Sequence, residues 1–279
     1  MRRLLASLRP LRSLELSLGG LLLVLMIGSV LASAWLFPDG GEAMDLRARL
    51  LPPFLRAAHP LGTDPLGRDV LARVVTGGWV SLTVGFWSVT GGAVLGTVAG
   101  LIAGYYRGLA ETLLMRFADV QLALPFILLA ITFAALVGSS LPLLIVLMIV
   151  SQWVQYARVV RGSVLSLREM EFIQASRAFG LPDPRILFLH VLPNVLGPVL
   201  ILATLNVANN ILLESSLTFL GLGVDPMIPS WGGMLADGRT YMQTAWWITV
   251  FPGGAIMLTV LGLNLIGDWL RDHLAPEAK

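Results

Sequence analysis

The chain has 279 residues, 56% of them hydrophobic and 13% charged, with a mean hydropathy of +0.80. An average soluble domain carries roughly 25% charged residues, so this composition excludes an ordinary water-soluble enzyme and places most of the chain in a bilayer. Of the 19 basic residues only Lys279 is a lysine, so no P-loop lysine exists to reach ATP phosphates; zero Cys and three scattered histidines (His59, His190, His273) argue against disulfides and a metal site.

A charge at the bilayer centre costs about 2.5 to 3.5 kcal/mol on insertion scales, so uncharged stretches locate the spans. Five are long enough: 16–38, 74–106, 120–157, 186–213 and 240–267. The third holds two helices separated by Gly138, Ser139, Ser140 and Pro142. The fold class expected is therefore all-α and polytopic, with six transmembrane helices near 16–37, 79–104, 118–137, 142–160, 197–219 and 246–267. Residues 1–36 resemble a secretory signal, but the uncharged run from Leu16 to Pro38 exceeds the 7 to 15 apolar residues of a cleaved one, so the first helix is expected to stay. The chain then divides into a cytoplasmic N-terminus (1–15), a first span (16–37), an external segment (38–78) and a five-helix core (79–279).

Arginine placement sets the orientation. With the N-terminus inside, thirteen basic residues fall on cytoplasmic segments and six (Arg47, Arg49, Arg56, Arg68, Arg73, Arg239) on external ones, putting both termini inside. Trp246, Trp247, Trp269, Tyr105 and Tyr106 fall at span ends, where interfacial aromatic belts are expected. Asp119 is expected to pair with Arg116, three residues before it. Gly62 to Asp69 reads as capped turns, with Arg68 and Asp69 stabilising them.

One substantial cytoplasmic insertion, 161–196, remains. The pattern predicts a helix over 164–179, stopped by Gly180 and Pro182, then Asp183 as an N-cap, Pro184 in the first turn and a second helix to about 191 that Pro193 ends. Two readings fit this helix, bend and helix: an amphipathic hairpin resting on lipid headgroups, or a lever seated in a groove of a cytoplasmic partner.

Gln174, Ala175, Ser176, Gly180, Leu192 and Pro193 resemble the Glu-Ala-Ala loop of permease subunits of binding-protein-dependent ABC importers, with Gln174 in place of the usual Glu and His190 in place of the usual Ile. His59 to Val84, Tyr105 to Ile127, Leu213 to Met234 and Ile266 to Asp272 are similar to dipeptide, oligopeptide and nickel importer permeases, of the second of their two unequal membrane subunits. The resemblance implies the type I ABC importer permease fold. It also implies a homologous second permease, two ABC ATPase subunits that hydrolyse the ATP, an extracytoplasmic substrate-binding protein, and no cofactor, nucleic acid or catalysis in this chain. The ATPase-coupling residues it implies are Gln174, Ala175, Ser176, Arg177, Ala178, Phe179, Gly180, Leu181 and Asp183. Peptides are the expected cargo, with nickel or another small solute as the alternative.

In the fifth span Asn206, Asn210, Glu214 and Thr218 recur every four residues on one helical face. Such a stripe avoids lipid, and meets either another helix or the passing solute. An ion-coupled secondary transporter would call for inverted repeats and midplane charges, and a membrane hydrolase for clustered His, Asp or Ser. The chain shows neither clearly.

Overall fold

In the computed structural model the backbone is described for residues 2–225 and 227–274, with side chains from Leu14 onward. Ten α-helices are present among these residues: α1 (Arg2–Leu36), α2 (Val70–Tyr106), α3 (Gly108–Leu122), α4 (Phe126–Val137), α5 (Leu141–Leu167), α6 (Glu171–Ala178), α7 (Asp183–Ile186), α8 (Leu192–Phe219), α9 (Trp231–Gly238) and α10 (Trp247–Leu274). Five stretches are long and apolar enough to cross a membrane, six if α3 and α4 are counted as one broken span. The basic side chains of Arg2, Arg3, Arg9, Arg12 and Lys279, counted for orientation, lie outside the described residues.

The largest helix pair is α2 against α5, and its closeness comes from four glycines one turn apart. A Cβ at Gly92 would lie 3.3 Å from Gln152 Cβ, at Gly100 2.7 Å from Val160 Cβ, and at Gly104 2.8 Å from Val164 Cβ. At Gly96 it would overlap the Trp153 carbonyl oxygen and lie 2.5 Å from Tyr156 Cβ. Without a hydrophobic drive between helices in lipid, such close backbone approach supplies the association through van der Waals contact. The first and last spans also meet: Gly19 packs on Leu265, and Met26 joins a core with Ile256, so α1 and α10 run antiparallel.

Several elements differ from the sequence-based expectation. α2 begins at Val70 rather than 79, because Asp69 caps it by accepting the Ala72 N–H at 2.8 Å. The third span is not one helix over 118–137: α3 and α4 are bent by 79° at Ala123 to Pro125. Pro125 has no N–H to donate and disfavours helical geometry at Leu124, so an otherwise apolar stretch breaks. α5 runs on to Leu167, leaving α6 only Glu171–Ala178 of the helix expected over 164–179. Pro193 does not end the second helix, since α7 passes through a π-helical turn at Leu187–Val191 directly into α8. The wider turn lets Pro193 sit in the first turn of α8, where its missing donor is tolerated.

Candidate functional site

Two ends of the bundle and the seam between them carry the polar chemistry. At one end, α6 and α7 form a protruding hairpin. The chain leaves α5 through Arg168 to Met170 and re-enters a helix at Glu171, whose carboxylate sits in the first turn, where the helix dipole favours it. α6 buries Ile173 completely and joins Ile186, Val191 and Val164 in one apolar core. The helix then stops on Gly180 at φ 77°, with the Gly180 N–H donating to Arg177 O at 2.9 Å and the Leu181 N–H to Ser176 O at 3.2 Å. This left-handed stop satisfies the last carbonyls and turns the chain back. No heavy atom lies within 4 Å of a Cβ placed on Gly180, and Phe179 is 84% exposed, so the tip projects clear of the bundle.

The nine residues expected at this element fall on it unequally. Gln174, Ala175, Ala178, Phe179 and Gly180 are exposed, while Ser176, Arg177 and Leu181 are half-buried. The Gln174 amide donates to Glu169 O at 3.1 Å, and the Ser176 hydroxyl to Phe172 O at 2.7 Å. Asp183 is not the N-cap; Pro182 holds that position, and the Asp183 carboxylate instead accepts a 2.7 Å bond from the Tyr105 hydroxyl at the end of α2. Tyr105 is 4% exposed and so is no belt residue, unlike half-exposed Tyr106.

Between the ends, the stripe on α8 faces inward. The Asn206 amide donates to the Tyr156 hydroxyl at 3.0 Å and to Gln155 Oε1 at 3.4 Å. One turn on, the Asn210 amide donates to Ser88 Oγ at 2.6 Å and its oxygen accepts from Gln152 Nε2. Glu214, fully buried, accepts from Ser81 at 2.7 Å, Thr218 at 2.9 Å and Ser215 at 3.3 Å. The stripe thus fastens α8 to α2 and α5, with all of its buried polar atoms paired except Gln152 Oε1. Its spacing was readable in the sequence; its partners, 50 to 133 residues away, were not.

At the opposite end, buried Asp64 organises the loop before α2. One carboxylate oxygen accepts the N–H groups of Leu66 at 2.8 Å and Arg68 at 2.9 Å. The other accepts Arg68 Nε at 2.6 Å and an Arg73 guanidinium nitrogen at 2.8 Å. Arg73 continues to Asp237 on α9 at 3.4 Å, and Trp247 Nε1 donates to Thr63 O at 3.0 Å. Trp247 is therefore buried structure rather than an interfacial belt residue, while Trp246 stays half-exposed. Asp119 pairs with Arg158 of α5 at 2.7 Å, not with Arg116. Sequence reading missed Arg73 and Tyr105 as buried network members; nothing local marks either. It also passed over Gly92, Gly96, Gly100 and Gly104, whose spacing of four was a usable signal.

Comparison with known proteins shows the family. Residues 96–279 match the family of binding-protein-dependent transport system inner membrane components. The dipeptide transport system permease protein DppC of Alkalihalophilus pseudofirmus is 48% identical over 223 residues, covering 80% of this chain and 73% of that protein. The glutathione transport system permease protein GsiD of Pectobacterium atrosepticum is 42% identical over 223 residues, 80% of this chain and 74% of that protein. The oligopeptide transport system permease protein OppC of Haemophilus influenzae is 37% identical over 257 residues, 92% and 83%. A chain of the MetNI methionine ABC transporter, in an inward-facing form, shares the fold with a TM-score of 0.56 at 21% identity, over 72% of this chain and 95% of that one. The likeness first carried by Gln174 to Pro193 extends over most of the sequence, and this chain belongs to the binding-protein-dependent transport system inner membrane components, as a multi-pass permease subunit of an ABC importer.

Proposed function

We propose that this permease carries short peptides inward, enclosing the pathway with a homologous second permease. Two ABC ATPases drive it from the cytoplasm, and an extracytoplasmic binding protein delivers the cargo. Both termini and the Gly180 hairpin lie on the cytoplasmic side, the Asp64 end faces outward, and ATP is held by the ATPases, not by this chain. The observation that carries the reading is the projecting tip: Phe179 is 84% exposed just past the end of α6, a helix locked into the core through Ile173. An exposed aromatic on a rigid support is suited to filling a partner's pocket, and α5 and α8 on either side carry its displacement into the membrane. The peptide cargo is supported by the relatives named for dipeptide and oligopeptide transport.

The test is uptake of labelled di- and tripeptides by the complete complex in proteoliposomes. Uptake is expected only with ATP and the binding protein together. Uptake driven by an ion gradient without the ATPases would overturn the reading.

A further inference from the structure

The coupling hairpin is joined covalently to α5 and α8 but not to α2, yet one α2 side chain holds both of its arms. The Tyr105 hydroxyl donates to Asp183 Oδ1 at 2.7 Å, on the arm after the bend. From the arm before it, Arg177 Nε donates to the same hydroxyl at 3.3 Å, and the guanidinium carbon lies 4.6 Å above the Tyr105 ring. Arg168, in the turn that leaves α5, donates to the Tyr105 carbonyl oxygen at 3.2 Å. The ring is buried among Ile173, Ile186 and Val164, so it cannot follow the hairpin without carrying α2 with it.

We propose that Tyr105 is a positioning residue for energy coupling: it clamps the two arms of the hairpin and passes their displacement to α2. The hairpin has two places where it can pivot, the turn at Arg168 to Met170 and the π-helical turn at Leu187–Val191. Without the clamp it can tilt about these two points while α2, bound to α5 through the glycine seam, stays behind. With it, α2, α5 and α8 move as one body. The hydroxyl has a specific part in this, because it is the single atom shared by Arg177 and Asp183, while the ring alone supplies only packing and the cation contact.

The inference rests on the importer reading above, and the experiment separates the two. In the complete complex in proteoliposomes, peptide imported per ATP hydrolysed is measured for the unaltered protein, Tyr105→Phe, Asp183→Ala and Asp183→Asn, together with each variant's thermal midpoint. Tyr105→Phe keeps the ring and removes the shared hydroxyl; Asp183→Asn keeps an oxygen that can accept its proton. The ratio is expected to fall roughly two- to tenfold in Tyr105→Phe and Asp183→Ala, the shift one hydrogen bond of ordinary net strength supports. It is expected to recover in Asp183→Asn, with ATP hydrolysis itself retained in all three. An unchanged ratio in Tyr105→Phe overturns the inference, as does a fall in transport and hydrolysis in equal proportion with a lowered thermal midpoint, which marks a merely structural role. Absence of ATP dependence in the unaltered complex strikes the importer reading instead.

Discussion

Replacing Gly96 by Ala tests whether backbone contact holds α2 to α5. The added Cβ would lie 2.5 Å from Tyr156 Cβ and 3.0 Å from Ala157 N, and would overlap the Trp153 carbonyl. Ordinary carbon contacts are about 3.5 to 4.0 Å, so the helices must separate by about 1 Å at this level, and the neighbouring glycine contacts loosen with them. Overpacking of this kind costs about 1 to 3 kcal/mol. Alanine's better helix propensity returns about 1 kcal/mol, so the net loss is up to about 2 kcal/mol, and Gly96→Ala falls about 1 to 3 kcal/mol below a Gly→Ala change that meets no clash. Gly162, on α5, meets nothing within 4 Å, and Gly162→Ala supplies the propensity gain alone. Denaturant titration of the purified protein in detergent should therefore rank Gly96→Ala below Gly162→Ala, with Gly162→Ala at or above the unaltered chain. Equal stability of the two variants would refute the account of the seam.

Asp64→Asn removes the charge that two buried arginines share, and is expected to cost about 3 to 5 kcal/mol, seen as a sharp fall in the yield of monodisperse protein. Phe179→Ala should leave thermal stability unchanged, because the ring is exposed, while weakening ATPase binding by about 2 kcal/mol; pull-down of the ATPases reads this directly. Asn210→Leu strips the partner from Gln152, whose Oε1 already lacks one among the described residues. A loss of about 1 to 3 kcal/mol is expected by the same denaturant titration.

The hairpin was legible because its stop is written locally: Gly180 supplies a positive φ and Pro182 forbids continuation, whatever the rest of the chain does. Five of the six expected spans were legible because charge is excluded from hydrocarbon, and the sixth falls on the bent pair α3 and α4. That same criterion measures length between charges and is blind to what lies inside the stretch, so it missed the break at Pro125. Pro193 misled for a related reason: a proline forbids helix only where a backbone donor is needed, and the π-helical turn shifts that need. The α8 stripe showed that a polar face existed, but its ends on Ser81, Ser88 and Tyr156 depend on which helices become neighbours. Tyr105 was read by position along a span, whereas its role comes from a loop 72 to 78 residues later.

The antiparallel contact of α1 with α10 has a consequence for biosynthesis. Gly19 of α1 meets Leu265 of α10 across about 246 residues of sequence, so this face of α1 has no such partner until α10 has been made. A chain that ends before α10 would leave the Gly19 face of α1 without this partner.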